Sequence, residues 1–328
     1  MRISGNKIVF IAVSFSAALL LLSMNDSIAQ YVTSVKRNAG AVPAMASFDS
    51  QGDQGLYDRI VAEANNRKVA PVDAKVDRVW KAIPGYNGIE VDIEKTFRTA
   101  KASPNDPIRF FYREVAPKVN LEDLGRYPIY KGNPNKKMAA LMINVAWGNE
   151  YLDPMLEVLE QERVKATFFF DGTWLKKNAD TAKKIQSFGH ELSNHAYSHP
   201  NMSTLGRTAA YQQIAKTESL LKETLGVKNR WFAPPSGDYN QMTVDVAAEQ
   251  GLKTVLWTVD TVDWKKPSPE WIVRKISLQI EPGALVLMHP TASSSQALPG
   301  IIREIKRKGI VLGTVSETLS PDRVPPVS

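Results

Sequence analysis

The sequence predicts an α/β fold: a distorted (β/α)7–8 barrel preceded by a small α+β module. Three observations lead there. From Met138 to near the C-terminus, short apolar runs alternate with amphipathic helical patterns, seven times over. The runs are apolar almost throughout rather than at every second residue, as expected of parallel strands covered on both faces. No Gly-x-Gly-x-x-Gly turn follows any of them, which makes a doubly wound open sheet the second choice.

The chain begins with Arg2 and Lys7, an apolar run over 8–22 and the small residues Ser27-Ile28-Ala29. This is the pattern of a secretory signal peptide over 1–29, with an uncleaved membrane anchor as the alternative. Residues 30–55 read as a polar linker and 56–130 as the small α+β module. Within the module, 56–68 has helical spacing at Leu56, Ile60, Val61 and Ala64. The stretch 72–100 reads as a short helix, a Pro84-Gly85 turn and a second amphipathic helix, and 108–117 as a strand. YKGNPNKK (130–137) reads as a second linker. The main domain spans 138–318. Its strands are expected at 139–145, 166–170, 191–195, 231–235, 253–259, 284–289 and 310–315, with helices at 151–162, 173–189, 207–225, 241–250, 269–280 and 296–308.

Composition narrows the chemistry. The chain has 328 residues and no cysteine, so disulfides, thiolate metal sites and a cysteine nucleophile are excluded. Any metal must be held by His, Asp, Glu, Asn or water. The net charge of +7 suits an anionic polymer of the cell envelope. No run of five basic residues and no reading motif points to nucleic acid, and contact with a membrane is expected only through an uncleaved signal segment. The expected location is secreted, at the cell envelope.

In barrels, chemistry sits where strands end. The third strand ends in NHAYSH, which places His195 and His199 four apart, a spacing compatible with metal ligation. The sixth ends in His289, so three of the four histidines fall at strand ends. The fifth ends in TVDTVDW. A carboxylate there, Asp260 or Asp263, could accept the His289 ring N–H and make His289 a proton donor, while one of the pair caps the next helix. The fourth runs into FAPPSGDYN, a rigid loop whose Ser236 amide could face an oxyanion. The first strand ends in LMINVAWG, which offers no acid at all.

Taken in order, VKATFFFDG, GHELSNHAYSHPNM, FAPPSGDYN, LWTVDTVDW and LVLMHP resemble the polysaccharide deacetylase family, the NodB-homology carbohydrate esterases, over about 138–318. The resemblance implies a divalent metal such as zinc, with hydrolysis of N-acetyl groups on peptidoglycan or a related amino-sugar polymer. It implies His195 and His199 as metal ligands, His289 as the acid and Asp263 as its orienting carboxylate. Pro235, Ser236, Trp264 and Leu287 would contact the substrate. The family's first motif, Thr-Phe-Asp-Asp-Gly, falls on 144–148. The base aspartate is then Ala146 and the metal aspartate Trp147, while the arginine that pairs with the base is Ala233 and a tyrosine of the fourth-strand loop is Ser236. Loss of a general base costs ~10²–10⁴ in rate, and loss of a ligand weakens the metal. The expectation is a family member with weak or lost activity; the alternative is a non-catalytic glycan-binding or scaffolding protein of the envelope. Asp171, at the end of the second strand, is the candidate substitute ligand or base, with Asn144, Asn149 and Glu150 weaker candidates and an exposed turn aspartate as the plain alternative.

Overall fold

The structure is a computed structural model that describes residues 51–324. The expected signal segment 1–29 and all but the end of the expected linker lie outside the described residues. The end of that linker is helical: α1 spans Gln51–Arg67 and packs through buried Ile60 and Ala64. The short helix expected next is instead an antiparallel hairpin, β1 (Lys75–Asp77) and β2 (Lys81–Ile83). Asp77 explains it: its Oδ1 accepts the amides of Val79 and Trp80, and this side-chain turn reverses the chain. A second antiparallel pair, β3 (Gly88–Val91) and β4 (Tyr112–Val115), brackets α2 (Ile93–Ala102). Asp92 caps α2 by accepting the Lys95 amide.

The barrel follows. Its elements are β5 (Met138–Val145), α3 (Asn149–Gln161), β6 (Thr167–Phe170), α4 (Gly172–Lys177), α5 (Ala179–Ser187), β7 (Glu191–Asn194), α6 (Arg207–Leu225), β8 (Trp231–Phe232), α7 (Gln241–Glu249), β9 (Lys253–Thr254), β10 (Val259–Asp260), α8 (Pro269–Gln279), β11 (Leu285–Met288), α9 (Ala292–Arg307), β12 (Val311–Gly313) and α10 (Val315–Leu319). All strand pairs are parallel, in the order β10-β11-β5-β6-β7-β8-β9, with β12 added to β5. The helix expected over 173–189 breaks at Asn178, which serves as C-cap of α4 and N-cap of α5.

Every residue of β5 is buried, because its two faces meet different apolar layers. Leu141, Ile143 and Val145 face α3 and α9, while Ala140 and Met142 face the barrel interior with Phe169, Trp231 and Leu285. Asn144 continues the inward-facing row and is therefore aimed at the barrel mouth.

The strand expected over 253–259 is two strands, β9 and β10. Between them the backbone turns aside to pair with Ile129: the Ile129 amide reaches Thr254 O at 2.9 Å and the Leu256 amide reaches Ile129 O at 2.8 Å. The end of the module thus fills a seam in the barrel wall. The connection after it is not a loose linker. Lys131 and Lys136 are buried, and the Lys136 ammonium donates to Glu317 O and Ser320 O at the end of α10. Burial pushes the Lys136 amine down to about 8. No helix among the described residues is long and apolar enough to cross a membrane.

Candidate functional site

The ends of β5, β7, β10 and β11 converge on a cleft of about 430 Å³. It is lined by Asn144, Trp147, His199, Ser236, Trp257, Asp260, Trp264, Leu287 and His289. Of the residues singled out in the sequence, His195, Pro235, Asp263 and Asp171 lie behind this lining and are nearly or fully buried. Trp257 is an additional wall residue; it lies inside the LWTVDTVDW motif, but the sequence reading gave it no role. It follows the displaced 255–256 stretch, so its direction depends on the seam.

Asp263 and His289 form a hydrogen-bonded pair at the site. The His289 ring Nδ1 lies 2.8 Å from Asp263 Oδ1, and the His289 amide donates to Oδ2 at 2.6 Å. The Ser294 hydroxyl also donates to Oδ2. Asp263 is fully buried. Burial pushes its carboxyl up, but these donors outweigh burial and leave it below the usual carboxylate value. An ionised carboxylate only accepts, so His289 carries its proton on Nδ1 and turns Nε2 to the cleft. Asp260 instead accepts the Val262 amide at 2.7 Å.

His195 is held in the same way by a carbonyl: its Nδ1 lies 2.7 Å from Ala233 O. Its Nε2 therefore bears the lone pair. Burial drives His195 down to about 3 and also lowers His199, so both imidazoles are neutral at neutral pH. Their ring centroids are 5.1 Å apart.

Trp147 changes what these groups can do. Its indole lies 5.5 Å from the His289 ring at 13°, a stack, and 6.4 Å from the His199 ring at 70°, an edge contact. It thus touches both His199, in the loop after β7, and His289, at the end of β11. The turn that places it requires glycine next: Gly148 stands at φ +82, and a Cβ there would meet Pro290 O at 2.0 Å.

The aspartate-and-two-histidine set that the resemblance implies for a divalent metal is not complete in this chain. Two neutral imidazoles are present, but where the resemblance expects the third ligand stands the indole of Trp147, which cannot ligate, and where it expects the base stands Ala146, which has no carboxylate. Among the described residues, no group of three or more His, Cys, Asp or Glu is arranged to hold an ion. Asp171 is 2 % exposed rather than an exposed turn residue. Its Oδ1 caps α4 by accepting the Trp174 amide at 2.9 Å and the Thr173 hydroxyl, while its buried Oδ2 has no hydrogen-bond partner. The weaker candidates divide. Asn149 is turned away, accepting the Trp174 indole N–H at 2.6 Å. Glu150 lines an adjacent cavity of about 510 Å³ that shares Trp147 and Trp264 with the cleft. Asn144 keeps a buried Oδ1 without a partner, at the cleft.

The mouth is also where backbone strain collects. Among the described residues, five of the seven non-glycine residues at positive φ are Ala196, His199, Ser236, Val262 and Lys266. For β-branched Val262 at φ 56 the conformation is costly, on the order of 1–3 kcal/mol. Such strain persists where the surrounding structure imposes it, commonly at a working site.

The chain is similar to several known proteins. The profile of the family described as "Polysaccharide deacetylase" matches residues 131–255. The chain is 44% identical over 301 residues to the uncharacterized protein YlxY of Bacillus subtilis, covering 92% of each chain. It is 35% identical over 185 residues to a peptidoglycan-N-acetylglucosamine deacetylase of Bacillus cereus, which covers 55% of this chain and 67% of that one. Among solved structures it resembles BA3943 of Bacillus anthracis, described as a CE4 family pseudoenzyme, with 44% identity, a TM-score of 0.76, and coverage of 82% of this chain and 96% of that one.

Proposed function

Since the chain belongs to the polysaccharide deacetylase family, carbohydrate esterase family 4, we propose that it holds an N-acetylated cell-wall glycan in the barrel-mouth cleft with weak or no hydrolysis of the acetamide. The observation that carries this reading is Trp147, stacked on His289 where a hydrolase of the family needs a carboxylate, a metal and its water. Relatives named as peptidoglycan deacetylases support an amino-sugar polymer as the ligand and the cell envelope as the location.

The residues suit retention rather than turnover. Trp147, Trp257, Trp264 and Leu287 give apolar walls for a sugar face and an acetyl methyl. The unpartnered Asn144 Oδ1 accepts a ligand N–H or O–H, which removes an unsatisfied buried group. His289, held by Asp263, offers Nε2 to a hydroxyl or to the acetamide. In an active relative this histidine would protonate the departing amine. Here Ala146 and Trp147, where the family's aspartates are expected, offer no carboxylate to generate the nucleophile that would make that proton useful.

The test is calorimetric titration with a chitin tetramer, alongside acetate release with and without added zinc. The reading predicts saturable binding with acetate at the background rate. An oligomer that fails to bind would sink it.

A second reading, a working deacetylase, is favoured by one observation: the free, buried Oδ2 of Asp171, which could serve as substitute ligand or base. It requires zinc content that falls in Asp171→Ala and metal-dependent acetate release by the wild type.

A further inference from the structure

The segment that fills the barrel seam also reaches the cleft. Tyr130 follows Ile129 and uses both its ends. Its carbonyl oxygen accepts the Thr258 hydroxyl at 2.7 Å, and that hydroxyl oxygen accepts the Leu285 amide at 3.2 Å. Its phenol pairs with the Tyr239 phenol at 2.7 Å. Trp80, from the β1–β2 hairpin, packs edge-on to the Tyr130 ring at 6.5 Å, and the Lys131 ammonium lies 5.1 Å above Trp80.

Both of these contacts bear on one side of the cleft. Thr258 adjoins Trp257, and Tyr239 belongs to the loop that carries Ser236. The two lips also touch each other: a Cβ at Gly237, which stands at φ +66, would lie 2.7 Å from the Trp257 ring. The loop has a separate anchor on its far flank, where Asp238 accepts the Ser203 amide and hydroxyl, each at 2.8 Å, and Asn240 donates to Ser203 O at 3.0 Å. Tyr130 supplies the near flank. Burial and the bond to Tyr239 raise its phenol above the ordinary tyrosine value, so Tyr130 stays protonated at neutral pH.

We propose that Tyr130 is a positioning residue for glycan binding: from the end of the N-terminal module, its bond to Tyr239 and its hold on Thr258 set the distance between the Ser236 loop and Trp257. This rests on the reading of the cleft as a glycan site. The small module then shapes the ligand wall.

The test compares Tyr130→Phe, Tyr239→Phe and the double variant in the full chain, by hydrogen exchange and by titration with a chitin tetramer. Tyr130→Phe keeps the ring on Trp80 and the backbone carbonyl, and removes only the phenol bond. Amides of 236–240 should exchange about fivefold faster in each single variant, with no further gain in the double, and tetramer affinity should fall by a similar factor. The unfolding midpoint should hold. Unchanged exchange in the single variants overturns the proposal, as does faster exchange with unchanged affinity. If exchange rises and even the wild type binds no tetramer, the loop anchor stands and the glycan reading of the cleft falls instead.

Discussion

The indole of Trp147 lies flat against the imidazole of His289, ring centroids 5.5 Å apart and planes 13° apart. That stack joins the end of β5 to the end of β11. Asp263 fixes His289 from behind and Trp147 stacks on its other side.

Replacing Trp147 tests the stack. Trp147 is 45% exposed, so Trp147→Ala should leave thermal stability nearly unchanged. Loss of a central aromatic contact should weaken tetramer binding by about 1–2 kcal/mol, roughly five- to thirtyfold, in calorimetric titration. Unaltered affinity would show that the ligand does not use this face.

His190, the histidine outside the mouth, predicts acid sensitivity. It is buried, and burial lowers it to about 4, while its Nδ1 accepts the Ala166 amide at 3.2 Å. The unfolded chain holds a proton on this ring below about 6.5, and the folded chain resists one until about 4. Its contribution to stability is therefore present above about 6.5 and is lost as pH falls through about 4. Removing the group should flatten that slope, by at most about 3 kcal/mol. Denaturant melts of wild type and His190→Gln at pH 7, 5.5 and 4 give the comparison; parallel curves would contradict the assignment.

Asp171 separates a cap from a ligand. As the cap of α4, Asp171→Ala should cost about 1 kcal/mol and Asp171→Asn much less. Elemental analysis after zinc loading should show equal metal in wild type and both variants. Zinc bound by the wild type and lost from Asp171→Ala would assign this carboxylate to a metal instead.

The strand–helix alternation from Met138 was legible because strands covered on both faces leave long apolar runs, as in β5 and β6. The histidines and Asp263 were legible because strand ends locate function in a barrel. The hairpin at 75–83 was not: three-residue strands carry no period, and the turn rests on the side chain of Asp77. The division of 253–259 was hidden because the pairing residue, Ile129, lies far back in the chain, and Trp257, though inside a quoted motif, was given no role for the same reason. Asp171 was read as a turn residue or ligand, and its role as a buried helix cap depends on the break at Asn178. Ala146 and Trp147, where the resemblance expects two aspartates, were visible in the sequence, but the stack of Trp147 on His289 depends on the close approach of Gly148 to Pro290.

Acetate release from a chitin tetramer, with added zinc, tests the central claim most directly. The wild type and the Ala146→Asp, Trp147→Asp, Ala233→Arg triple variant are assayed side by side. The account predicts a background rate for the wild type and a rate at least about 10²-fold higher for the triple variant, once base and ligand are returned. Zinc-dependent acetate release by the wild type, at a rate the triple variant does not exceed, would contradict it.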